Sequence, residues 1–83
     1  MLWLPWWSIS AGKPMAKARI RNHVRRLREE RDITQTDLAR TSGCTRQTII
    51  MLEQERYVPS LSLAFAVARS LDLALEEVFE PEE

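Results

Sequence analysis

The chain has 83 residues, 45% of them hydrophobic and 29% charged, with one cysteine and no net charge. This length allows one small domain that buries about 60% of its chain surface, which leaves room for a binding module and hardly for a catalytic cleft. Cys44 has no partner for an internal disulfide, no Cys/His cluster has metal-ligand spacing, and no run reaches the ~18 apolar residues of a membrane span.

The first stretch, MLWLPWWSISAGKP, holds all three tryptophans, two of the four prolines and no helical pattern. Residues 1–19 therefore read as an extension, either disordered or the product of a misplaced start. Ala11-Gly12-Lys13 can be encoded by a purine-rich AGGA stretch just upstream of the Met15 codon, as a ribosome-binding site would be, and Met15 is the expected native start. No charged leader precedes the apolar part, so secretion is not expected and a cytoplasmic location is. Trp3, Trp6 and Trp7 suit a membrane interface. Without an amphipathic continuation they would bind it weakly, and no membrane partner is expected.

Helical spacing begins at Ile20, runs through Val24 and Leu27, and closes at Asp32 and Ile33. Thr34 stands three residues before Asp37 as the N-cap of a second helix, QTDLARTS, with Leu38 and Ala39 inward and Gly43 as its stop. Thr45 caps a third helix over 46–54. Ser60, directly after Pro59, caps a fourth, LSLAFAVARSL, whose Leu61, Ala64, Val67, Ala68 and Leu71 can face one core. ALEEVF adds a turn or two. The expected fold is thus all-α and compact, with five helices over residues 20–80 and an acidic tail at 81–83. No segment alternates as a strand would.

The third helix poses a problem, because Ile49, Ile50, Met51 and Leu52 are apolar in succession. A belt running round a helix cannot all be buried in so small a protein. At about 100° per residue, Ile49, Leu52 and Glu53 fall on one side. Arg46, Gln47, Ile50, Met51 and Gln54 fall on the other. That outer face suits the DNA major groove, where Arg bonds guanine, Gln bonds adenine and an apolar group touches the thymine methyl. A protein interface is the competing reading.

Charge is segregated along the chain. Lys13 to Arg31 carries eight basic and two acidic residues, whereas Ser60 to Glu83 carries one basic and six acidic. A basic front can bind phosphates while an acidic rear discourages docking the wrong way round.

Gln35, Ala39, Gly43, Ile49 and Leu52 form the pattern Q-x3-A-x3-G-x5-I-x2-L. In a helix-turn-helix the small Ala39 lets two helices cross, Gly43 permits a left-handed turn, and Ile49 with Leu52 anchors the second helix. Through LREERDITQTDLA, SGCTRQTI and YVPSLSLAFAVARSLDLALEEVF, the chain from Asn22 to Phe79 resembles the Cro/cI, or Xre-type, helix-turn-helix regulators, the lambda-repressor-like DNA-binding domains. The resemblance implies base contacts from Arg46, Gln47, Ile50 and Met51. It implies phosphate contacts from Gln35, Thr45, Arg56, Tyr57 and Ser60, and an architectural ion pair between Arg28 and Glu53. Two departures stand out: Gln54-Glu55 replaces the family's usual Asn-Gly after the third helix, and Asp72 replaces a Gly between helices four and five. Both positions call for a left-handed residue, which is strained without glycine.

Cys44, in the turn, reads as a small apolar group rather than a redox switch, and His23 as a surface residue. No nucleophile, base and orienting group recur at plausible spacing, so neither enzyme activity nor a cofactor or metal is expected. Phe65, Leu73, Leu75 and Phe79 exceed what the core can hide and would pair two chains. The expected function is a sequence-specific DNA-binding transcriptional regulator, a repressor acting as a homodimer on double-stranded DNA. The alternative is a protein-interaction module, such as an antitoxin or a partner-tethered accessory protein.

Overall fold

The computed structural model describes residues 19–82. In chain order it comprises β1 (Arg19–Asn22), α1 (Val24–Glu30), α2 (Gln35–Ser42), α3 (Arg46–Glu53), α4 (Leu61–Ser70), α5 (Leu75–Val78) and β2 (Phe79–Glu82). The expectations about the tryptophan-bearing extension and the Met15 start lie outside the described residues.

Among the described residues there are five helices, but the all-α expectation needs one correction. Residues 19–22 form not the start of the first helix but a strand, paired antiparallel with β2 so that Arg19 faces Glu82, Ile20 faces Pro81 and Asn22 faces Phe79. Ile20, Val24 and Leu27 do follow helical spacing, yet Ile20 and Asn22 equally fit a period of two, and a short run cannot separate the two. What decides is a partner nearly sixty residues away, invisible to local periodicity. β2 extends through Pro81 and Glu82, so the strand reaches into the stretch read as an acidic tail.

The core is built from one stripe of each helix. Val24 and Leu27 of α1, Leu38 and Ala39 of α2, Ile49 and Leu52 of α3, and Ala64, Val67 and Ala68 of α4 meet Leu71, Val78 and Phe79. Phe79 is drawn into this core, and Leu73 and Leu75 pack against it. Of the four residues expected to pair chains only Phe65 stays exposed, joined by Tyr57, Val58 and Leu61.

Helix starts are fixed by side chains. Thr34 accepts from the Asp37 N–H at 3.0 Å, Thr45 from Thr48 at 3.2 Å and Ser60 from Leu63 at 3.2 Å. Each such cap contributes about 0.5–2 kcal/mol. α1 lacks a cap from His23. Instead Asn22 Oδ1 accepts from the Val24 N–H at 3.2 Å.

Helix ends follow one scheme repeated four times. The N–H groups of Asp32 and Ile33 reach back to Glu29 and Arg28, those of Gly43 and Cys44 to Arg40 and Ala39, those of Glu55 and Arg56 to Leu52 and Met51, and those of Asp72 and Leu73 to Arg69 and Ala68. This crossed pair of bonds is the Schellman motif, whose pivot residue sits in the left-handed region. The pivots Asp32, Gly43, Glu55 and Asp72 have φ of 55°, 78°, 59° and 59°. Only one of the four is glycine, so the strain anticipated at Glu55 and Asp72 is present, and Asp32 shares it. In three of the motifs the residue after the pivot, Ile33, Cys44 or Leu73, packs on the core. The fourth has the exposed Arg56.

Candidate nucleic-acid interface

α2, the Gly43 turn and α3 make a helix-turn-helix, with Leu38 and Ala39 of the first helix against Ile49 and Leu52 of the second. Ile49 and Leu52 are fully buried. On the far side of α3, Arg46, Gln47 and Gln54 are exposed, while Ile50 and Met51 are half-buried. The apolar belt is thereby divided as the helical wheel requires: one half fills the core, and the other lies in a surface that also carries a guanidinium and two amides.

An ionic knot fixes α3 to the helices behind it. Arg28 Nε donates to Glu53 Oε2 at 2.7 Å, Nη2 to Oε1 at 3.3 Å, and Nη1 to the Ile33 carbonyl at 2.9 Å. Their side chains are only 12% and 5% exposed. Gln35 Nε2 also donates to Glu53 Oε1, at 3.1 Å. One carboxylate thus gathers α1, the start of α2 and the end of α3. Asn22, unremarked in the sequence, adds a further tie: its Nδ2 donates to the Leu52 carbonyl at 2.8 Å. Arg31 does the same at the end of α4, Nε to the Leu71 carbonyl at 2.9 Å. Such cross-helix ties need a fold before they can be seen; a polar residue just before a helix start is the only local hint that Asn22 offers.

Of the residues expected to touch DNA, Gln35, Arg46 and Ile50 share one open groove with Gln54, Arg25 and Arg28. Arg25 is a solvent-facing cation, 3.6 Å from Glu29, and was not singled out by the motif because a basic residue on the first helix has no fixed place in the pattern. Thr45 stands at the start of α3, where its hydroxyl is occupied by the cap and lies 2.9 Å from that of Thr48. Gln47, Met51, Arg56, Tyr57 and Ser60 do not line the groove. Gln47 and Arg56 are exposed, Tyr57 is 38% exposed, and Ser60 caps α4. Two helix starts, α2 and α3, therefore flank the mixed polar and apolar face, and helix starts present N–H groups that suit phosphates. Cys44 is half-buried, and burial raises its thiol pKa above the usual value. It is therefore poorly ionised at neutral pH and fits the apolar role.

A short helix held from behind by its buried stripe, with a mixed outer face between two helix N-termini, defines a DNA-binding helix-turn-helix domain. A helix-turn-helix family model matches residues 24–78. HTH-type transcriptional regulators, themselves uncharacterised, are 48% identical over 61 residues in Methanothermobacter thermautotrophicus, covering 72% of this chain and 88% of that one. One in Methanocaldococcus jannaschii is 40% identical over 60 residues, 72% and 91% of the two chains. The immunity repressor of Bacillus phage phi105 is 34% identical over 55 residues, 66% of this chain and 38% of that one. The chain belongs to the Cro/cI-type helix-turn-helix family of transcriptional regulators. No helix among the described residues is long and apolar enough to cross a membrane.

Proposed function

We propose that this protein is a sequence-specific transcriptional repressor of the cytoplasm that binds double-stranded DNA as a homodimer, with α3 in the major groove. The observation that carries the reading is the division of α3: Ile49 and Leu52 anchor it fully buried, leaving Arg46, Gln47, Ile50 and Met51 on its outer side. These four read base edges, Arg and Gln through paired hydrogen bonds and the apolar groups through the thymine methyl. Gln35, Thr45, Arg56, Tyr57 and Ser60 hold the backbone. Gln35 gives one amide proton to Glu53 and keeps the other for a phosphate. The likeness to a phage immunity repressor supports repression over activation. The exposed Leu61 and Phe65 of α4 support pairing of two copies, which sets two α3 helices about 34 Å apart on an inverted repeat.

Selection of binding sites from randomised DNA tests this. Gln47→Ala should cost roughly 1–3 kcal/mol on the preferred site and relax the choice at one base pair. Gln35→Ala should weaken every sequence alike, since a phosphate carries no sequence information. Unchanged preference in both Gln47→Ala and Met51→Ala would remove α3 as the reading element and favour the protein-interaction alternative.

A further inference from the structure

A second concavity, apolar where the first is polar, lies among the 56–60 segment, α4, α5 and β2. Val58, Pro59, Leu61, Leu75, Phe79 and Pro81 line this open groove of about 350 Å³. Val58 and Leu61 are 64% and 68% exposed, so much of the wall is bare apolar surface of the kind that is normally covered. The charged residues that line it, Glu76 and Glu80, are both acidic and both exposed. Among the described residues no arginine or lysine neutralises either of them: Glu80 has only the His23 imidazole, at 3.3 Å, and Glu76 makes no ion pair.

We propose that this groove docks a short segment of a partner protein in which bulky apolar side chains are flanked by lysine or arginine. Charge decides among the occupants that an apolar groove could take. The two carboxylates turn away DNA and anionic lipid, whereas a cationic segment pairs with them while its apolar side chains cover the floor. A second copy fits poorly, because a two-fold contact sets one patch against itself and doubles the negative charge enclosed. Pairing of copies has Phe65, which does not line the groove, although Leu61 borders both. The volume lies near the lower end of the ~300–1,000 Å³ of ligand pockets, so it takes a few anchoring side chains rather than the face of a domain. Pro81 has no N–H to offer along β2, which disfavours an added strand and leaves recognition to side chains. None of the groove's lining residues belongs to the polar groove beside α3. A docked partner therefore leaves the proposed DNA-reading face open and is brought to DNA with it.

Panning random phage-displayed peptides on the full chain, immobilised without DNA, tests the proposal. Enriched sequences should combine Leu, Phe or Trp with Lys or Arg and should lack Asp and Glu. The most enriched peptide, synthesised with a fluorophore, should bind the chain in solution, read by anisotropy at a concentration where sedimentation shows a monomer. Leu61→Glu and Val58→Asp, at exposed positions where circular dichroism should report unchanged helix content, should each abolish that binding. Glu76→Gln combined with Glu80→Gln should weaken it several-fold at low salt, and the difference from the unaltered chain should shrink as salt is added. No enrichment, or enrichment of acidic or uncharged sequences, would overturn the proposal. So would a cationic peptide whose affinity survives Leu61→Glu and Val58→Asp. A dimer that Val58→Asp dissociates would overturn it as well, by making a second copy the occupant. Sequence preference on DNA is read separately, so failure here leaves the role of α3 standing, and failure there leaves the groove's occupant standing.

Discussion

The turns that end α2 and α3 have the same backbone and opposite side-chain chemistry. After α2 the pivot is Gly43 at φ 78°, and Cys44 next to it packs on the core. After α3 the pivot is Glu55 at φ 59°, and its neighbour Arg56 is exposed. Glycine adopts the left-handed region without penalty, whereas another L-residue there costs about 1–2 kcal/mol. The first turn therefore secures itself by local means, and it sets the angle between the two helices of the DNA-binding motif. The second lacks both local devices. What holds the end of α3 is polar and comes from elsewhere in the chain: Glu53 gripped by Arg28 and Gln35, and the Leu52 carbonyl by Asn22. In exchange, Arg56 and Tyr57 are left at the surface, where DNA backbone can be met.

If this division is right, the largest loss should come from the polar grip. Glu53→Ala leaves Arg28 nearly buried and without its carboxylate, and breaking a buried pair on one side costs about 3–5 kcal/mol. Urea unfolding should show it as a drop in midpoint at unchanged slope. A loss below 1 kcal/mol would mean that α3 is held by its apolar stripe alone. Asn22→Ala comes next. It strands the Leu52 carbonyl and removes the substitute cap of α1, with an expected loss of about 1–3 kcal/mol by the same measurement. A neutral Asn22→Ala would show that water satisfies that carbonyl equally well.

The same contrast explains what could be read before folding. Caps at Thr34, Thr45 and Ser60, the stop at Gly43 and the inward stripe of Ile49 and Leu52 are local or periodic signals, and they set the positions of α2, α3 and α4. The outer face of α3 was legible for the same reason, since once the buried stripe is fixed the remaining directions follow from helical geometry. β1 was not legible because its identity depends on Phe79–Glu82 at the other end of the chain. Asn22 and Arg31 act across elements, on the Leu52 and Leu71 carbonyls, so their roles exist only in three dimensions. Arg28 with Glu53 was accessible through the family resemblance alone, for nothing in their spacing of 25 residues announces a contact. Leu73, Leu75 and Phe79 are expected at the surface because so small a core has little room for them, and the packing of α5 and β2 draws them in.

The two pivots themselves give a smaller and more discriminating test, because one kind of exchange should act with opposite signs. Gly43→Ala places a Cβ in open space, with nothing within 4 Å, so crowding contributes nothing and the loss, about 1–2 kcal/mol, is that of the left-handed backbone alone. Its side-chain contacts being intact, the protein should still fold and select the same DNA site. Glu55→Gly relieves the corresponding strain, less the entropy that glycine gains in the unfolded chain, for a net gain of about 0.5–1 kcal/mol. It also removes a negative charge beside Arg56, near the expected path of a phosphate. Affinity should then rise for all sequences alike, with no change in the preferred site, and the rise should shrink as salt is added. If Glu55→Gly changed site preference, the turn after α3 would be taking part in reading bases. If it lowered stability, Glu55 would have a side-chain partner that offsets its backbone strain, and the two turns would be more alike than their residues suggest.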